Sequence, residues 1–220
     1  MDNSRFADQL RRGCEALGVG VGEDVPERLY RLMGELLKWN AKVNLTAITA
    51  PEEVLEKHFL DSLAVLPEVE GAASVLDVGA GAGFPGLPLK MARGALSVTM
   101  VDAVGKKVGY LKAVVTVPGL GLGGTKAVHT RAEGRPEAEG LPRADRVLAR
   151  AFMDLPDWLD RRRRTGAWGA RGGDAGQGAR GGGVAGGGGE AGTGAGVREG
   201  LPVAVLASGA AGGGVQEAGE

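Results

Sequence analysis

A single cysteine, Cys14, rules out an internal disulfide in this 220-residue chain. Cys14 sits in an N-terminal stretch of helical spacing, far from any glycine-rich turn, and reads as a small buried apolar residue rather than a nucleophile. Two histidines, His58 and His129, are too few for a histidine-built metal site, and no metal is expected. No apolar run approaches the length of a membrane span and no signal segment opens the chain, so no membrane association and a cytoplasmic location are expected. A formal net charge of −1 excludes a free polycation that holds nucleic acid by bulk electrostatics. Basic patches are local: Lys106, Lys107 and Lys112 form one, and Arg143, Arg146 and the run at residues 161–164 another.

What the chain has instead is glycine at meaningful spacing. Residues 77–86 read DVGAGAGFPG directly after the apolar run at residues 72–76. A buried strand that ends in a carboxylate and then alternating glycines lets the backbone turn sharply and approach a ligand closely. Pro85 and Pro88 suit the first turn of a following helix. Gly81, Gly83 and Gly86 fit the dinucleotide pattern G-x-G-x-x-G. Asp77, two residues before the first of Gly79, Gly81 and Gly83, instead resembles the D-x-G-x-G-x-G loop of S-adenosylmethionine-dependent methyltransferases. That cofactor carries no phosphate, so its site relies on carboxylates and backbone groups. Residues 96–101 read as the next strand and lead to Asp102, near the ~20-residue offset at which an acid bonds ribose hydroxyls in either cofactor. A glycine-rich turn without a ligand is the bland alternative, and the flanking strand, helix and second acid weigh against it.

Downstream, the lysines at 106, 107 and 112 with Val108, Tyr110, Leu111, Val114 and Val115 predict an amphipathic helix. Residues 125–130 read as a third strand, and Arg131, Ala132 and Glu133 fall where the third loop reaches a cofactor base. Residues 146–149 form a short apolar strand that ends at Arg150. Strands alternating with helices imply a parallel α/β sheet whose carboxyl-end loops converge on one crevice. Upstream, Leu29, Leu32, Met33, Leu36 and Leu37 describe a helix with one buried stripe. Pro26 and Pro51 mark helix starts, the latter followed by Glu52 and Glu53.

Six ordered segments then specify a family: WNAKVNLTAI at residues 39–48, HFLDSL at 58–63, DVGAGAGFPGLPL at 77–89, VDAVGKKVGYLK at 101–112, HTRAEG at 129–134 and LARAFMDL at 148–155. Together they resemble the glucose-inhibited division protein B family of small-subunit ribosomal RNA methyltransferases. The resemblance implies a Rossmann-like class I methyltransferase sheet behind an N-terminal helical segment. It implies transfer of a methyl group from S-adenosylmethionine to N7 of a guanine in 16S ribosomal RNA, within a small subunit or its precursor. A monomer is expected. N7 carries a lone pair and no proton, so alignment matters more than acid–base chemistry and no catalytic side chain is assigned. The resemblance places Gly79 and Phe84 at the cofactor's amino-acid end, Asp102 at the ribose, Ala132 and Glu133 at the adenine, and Arg150 at the cofactor or the target phosphate. Phe84 also reads as a core residue, and Arg150 as an ion-pair partner. His58 and Asp61, three apart on one helical face, are placed by the resemblance near the active site, although mutual or backbone bonding accounts for them equally. Amino-group methyltransferases typically carry a D/N-P-P-aromatic segment after the fourth strand; RAFMDL stands there instead.

The last quarter departs from the resemblance. Residues 165–220 hold 22 of the chain's 41 glycines and few large apolar residues, which predicts a disordered tail in place of the helix and two strands expected of the fold. The tail is either genuine low complexity or the product of a frame change near residue 160. Expected units are residues 1–66 (helical), 67–160 (cofactor-binding, lacking its last strands) and 161–220 (Gly/Ala-rich). Two further functions stay open: a non-catalytic ribosome- or RNA-binding remnant, and a dinucleotide-dependent oxidoreductase, which lacks a recognisable Tyr/Lys or Cys/His arrangement.

Overall fold

A computed structural model describes residues 1–131 and 140–150, together with the backbone of strands at residues 203–207 and 216–218. Asp2 opens the first helix, α1 (Asn3–Ala16), by accepting the Arg5 N–H at 2.9 Å, which satisfies one orphan donor of the first turn. Phe6, Leu10 and Cys14, each four apart, form its buried face. Helix α2 (Val25–Val43) begins with Pro26 in its first turn and ends at Asn44, which adopts the left-handed conformation. Leu29, Leu32, Met33 and Leu36 are its buried stripe, with Leu37 half-buried at the margin. A further helical stretch comprises α3 (Pro51–Val54), a π-helical turn (Leu55–Leu60) and α4 (Asp61–Leu63), followed by a 3-10 turn (Leu66–Val69). The π turn carries His58 and Phe59 into the interior.

The sheet is built on four parallel strands: β1 (Ser74–Val78), β2 (Ser97–Asp102), β3 (Thr125–His129) and β4 (Arg146–Arg150). Helices α5 (Gly86–Ala92) and α6 (Gly105–Val114) follow β1 and β2. The central strands are near-continuous apolar runs, as strands covered on both faces must be. Strand order is β3-β2-β1-β4, so the winding direction reverses between β1 and β4 and a crevice opens outside their carboxyl ends.

Two short strands lie beyond β4. β5 (Val203–Ala207) pairs antiparallel with β4, from Arg146↔Ala207 to Arg150↔Val203, and β6 (Gln216–Ala218) pairs antiparallel with β5. LPVAVL at residues 201–206 is the one tail segment of strand-like composition, and the outer edge of β4 offers N–H and C=O groups that a strand satisfies. The rest of the Gly/Ala-rich tail, with its expected disorder and frame change, lies outside the described residues.

The helical segment and the sheet share one core. Phe6 of α1 meets Phe59 edge-on at 5.8 Å between centroids, and Phe59 meets Phe84 at 5.7 Å, so an aromatic chain links the first helix to the glycine loop. Arg28 of α2 donates to the carbonyls of Met91 and Leu120, which ties α2 to the end of α5 and to the loop after α6.

Candidate active site

Strands β1 and β2 deliver their described loops to the crevice. β1 continues to Val78, so Asp77 lies inside the strand and is fully buried. Its Oδ2 accepts the Gly86 N–H at 2.9 Å, while Oδ1 has no partner among the described residues. A Cβ at Gly86 would stand 2.7 Å from that Oδ2, so only glycine lets the loop close over the carboxylate. Burial pushes the Asp77 carboxyl up to about 7; the Gly86 N–H and the Arg150 charge oppose the rise and Asp102 adds to it.

Gly79, Gly81 and Gly83 have φ of 71°, 58° and 90°, a backbone that side-chain-bearing residues rarely adopt. The loop is fastened from the neighbouring strand. The N–H groups of Gly79 and Ala80 both donate to the Val101 carbonyl, at 2.8 and 3.0 Å. Asp102, at the end of β2, accepts from Gly81 N–H on Oδ2 and from Val104 N–H on Oδ1, each at 2.8 Å. Each oxygen keeps a second lone pair, so the carboxylate braces two loops and retains acceptor capacity for a ligand hydroxyl. Phe84 precedes a cis peptide to Pro85 and is 3% exposed.

Arg150, the last residue of β4, is no solvated surface cation. Its guanidinium pairs with Asp61 Oδ2 at 2.6 Å, donates to the Lys57 carbonyl at 3.1 Å and lies 5.6 Å from the Phe84 ring centroid. His58 stacks flat on Phe84, 4.5 Å between centroids and 11° between planes. Burial, reinforced by the Arg150 charge, drives the imidazole down to about 4. Burial also raises the Asp61 carboxyl, outweighing the pull of Arg150. His58 and Asp61 therefore do not bond each other; both face Arg150.

The structure thus brings Gly79, Phe84, Asp102 and Arg150 to one end of the sheet. Ala132 and Glu133 lie outside the described residues, just beyond β3. Sequence reasoning missed Thr46 and the role of Asn40, which are half-buried in a segment that also carries the exposed Lys42 and Asn44, so polarity alone did not single them out. Among the described residues, no group of three or more His, Cys, Asp or Glu is gathered as a metal site requires, and no helix is long and apolar enough to cross a membrane. In the two basic patches, Arg146 donates to the Glu68 carbonyl, whereas Lys106 and Lys112 are exposed; residues 161–164 lie outside the described residues.

Comparison with known proteins agrees with this geometry. Residues 26–164 match the family model GidB, described as rRNA small subunit methyltransferase G. A ribosomal RNA small subunit methyltransferase G of Myxococcus xanthus (strain DK1622) is 72% identical over 159 residues, which span 72% of each chain. Its namesake in Anaeromyxobacter dehalogenans (strain 2CP-1) is 52% identical over 157 residues, 71% of this chain and 72% of that one. A further one from Geobacter sp. (strain M21) is 42% identical over 150 residues, 68% of each chain. A match across most of the sheet and the helices before it, with identity this high, is decisive, and the chain belongs to the GidB family of small-subunit ribosomal RNA methyltransferases.

Proposed function

We propose that this chain binds S-adenosylmethionine in the crevice at the ends of β1, β2 and β4 and transfers its methyl group to N7 of a guanine in 16S ribosomal RNA. The observation that carries the reading is the state of the glycine loop. The N–H groups of Gly79, Ala80, Gly81, Gly83, Phe84 and Gly86 all donate within the protein, and two carboxylates, Asp77 and Asp102, flank them. A pyrophosphate needs free N–H donors and positive potential at this point. Here six of the loop's donors are committed and the carboxylates that accept from it are Asp77 and Asp102, which suits a cofactor bearing a cationic amino acid and a neutral ribose. The orphaned Asp77 Oδ1 fits the same cofactor.

Bound S-adenosylmethionine supplies an electrophilic methyl group. Asp102 receives the ribose hydroxyls; Gly79 and the backbone at Phe84 line the amino-acid end, since the Phe84 ring is buried. Ala132 and Glu133 take the adenine. Arg150, held by Asp61, contributes positive potential beside the loop rather than a freely reaching side chain. Guanine N7 has no proton to lose, so the residues orient and exclude water and no general base is required. The enzyme is a cytoplasmic monomer acting on a small subunit or its precursor, with residues 1–66 as helical support, 67–160 as the cofactor unit and 161–220 as an appended tail.

The test is methyl transfer from labelled cofactor to small-subunit particles and to naked 16S RNA in parallel, with chemical cleavage at 7-methylguanosine to locate the product. Label at one guanine N7 is expected. Cofactor binding without transfer to either substrate would favour a non-catalytic remnant, a reading suggested by the family match ending at residue 164.

A further inference from the structure

Four of the family-bearing segments meet in one part-buried network around His58. Asn40, near the end of α2, accepts the N–H groups of Leu45 and Thr46 on Oδ1, at 2.6 and 2.9 Å, and donates Nδ2 to the Thr46 carbonyl at 2.9 Å. This brace fixes Thr46. Its Oγ1 accepts the Ile48 N–H at 3.1 Å and lies 3.0 Å from His58 Nε2. On the opposite side of the imidazole, Nδ1 lies 3.2 Å from an Arg150 Nη2.

A guanidinium has only donors, so His58 Nδ1 must accept and carry no proton. The ring proton then resides on Nε2 and is donated to Thr46. One tautomer satisfies every contact. The opposite tautomer would set an N–H against the Arg150 cation, and the doubly protonated ring would set a charge there too. In the satisfied state the ring lies flat on Phe84, where the glycine loop passes into α5, and Arg150 is fixed from its other side by Asp61. His58 is 5% exposed.

We propose that His58 is a positioning residue for methyl transfer: as the neutral Nε2–H tautomer, held between Thr46 and Arg150, it clamps Phe84 and so sets the glycine loop against the N-terminal helical segment. The proposal rests on the reading that this loop holds S-adenosylmethionine. Its consequence is that loss of the distant Thr46 hydroxyl propagates through the imidazole to the cofactor pocket.

Two measurements test it. Nitrogen-15 NMR of the full chain with labelled histidine, at pH 7 and without cofactor, is expected to show His58 with Nε2 protonated and Nδ1 bare. An Nδ1–H or doubly protonated ring would overturn the proposal. In parallel, Thr46→Val, which keeps the volume but removes the acceptor, and Thr46→Ser, which restores it, are titrated calorimetrically with S-adenosylmethionine beside the unaltered chain. Thr46→Val should bind about tenfold more weakly while melting cooperatively, and Thr46→Ser should recover most of that loss. Equal binding by Thr46→Val and the unaltered chain overturns the clamp alone. No binding by the unaltered chain overturns the cofactor reading, and the clamp with it.

Discussion

Two buried titratable groups beside the glycine loop are shifted in opposite directions, and their effects on stability oppose each other. His58 is lowered from 6.5 to about 4, so between those values the unfolded chain binds the extra proton and stability falls as pH falls. Asp77 is raised from 3.8 to about 7, so between those values the folded chain binds the extra proton and stability falls as pH rises. Each shift corresponds to about 3–4 kcal/mol across its window. Over pH 4 to 6.5 the two largely cancel, and single variants expose them. Asp77→Asn should be stabilised relative to the unaltered chain above pH 7 and lose that advantage near pH 4. His58→Asn should resist acid better between pH 6.5 and 4. Thermal melts across pH check both signs, and parallel melting curves at all pH values would contradict them. Asp102 carries a different prediction. Asp102→Asn leaves an acceptor for one loop N–H but removes the charge beside the ribose site, and should weaken S-adenosylmethionine binding about 10–100-fold by calorimetry.

At the level of elements, backbone fit at the β1–α5 turn dominates. Gly86→Ala places a methyl group against the Asp77 carboxylate and the side chains of Val98 and Met100, at 2.7, 3.2 and 3.3 Å. It should cost about 1–3 kcal/mol and lower cofactor affinity, read as a lower Tm and a raised Kd in one preparation. The strands and helices were legible from local pattern. The buried stripe of α2, the apolar run of β2 with its terminal Asp102, and β4 with its terminal Arg150 all follow from periodicity and an acid or base at the strand end. The π turn at Leu55–Leu60 was not legible, because nothing in LEKHFL distinguishes it from ordinary α-helix. For the same reason the partners of His58 stayed hidden: Thr46, Phe84 and Arg150 lie 12, 26 and 92 positions away, and only packing of the helices on the sheet joins them.

For the whole molecule, the described part of the tail is its two strands. Composition offered one strand-like segment after β4, at residues 201–206, and β5 and β6 complete that edge through backbone pairing, which demands little of side chains. A chain ending at residue 200 lacks both strands and leaves the β4 edge open. It should melt at lower temperature and self-associate on size-exclusion chromatography; an unchanged melt and elution volume would show that the pairing contributes nothing to stability. The crevice was the most legible feature of the molecule, since one glycine turn, an acid within β1 and an acid at the end of β2 line it. The helical segment's role was the least legible, since it works through contacts that no local motif encodes.

The crevice is proposed to accept a cationic, phosphate-free cofactor because most of its loop donors are committed and two carboxylates, Asp77 and Asp102, accept from the loop. Calorimetric titration of the full chain with S-adenosylmethionine, with NAD titrated in parallel, tests it most directly. Saturable binding of S-adenosylmethionine and none of NAD is the predicted result; binding of NAD alone, or of neither, would contradict the account.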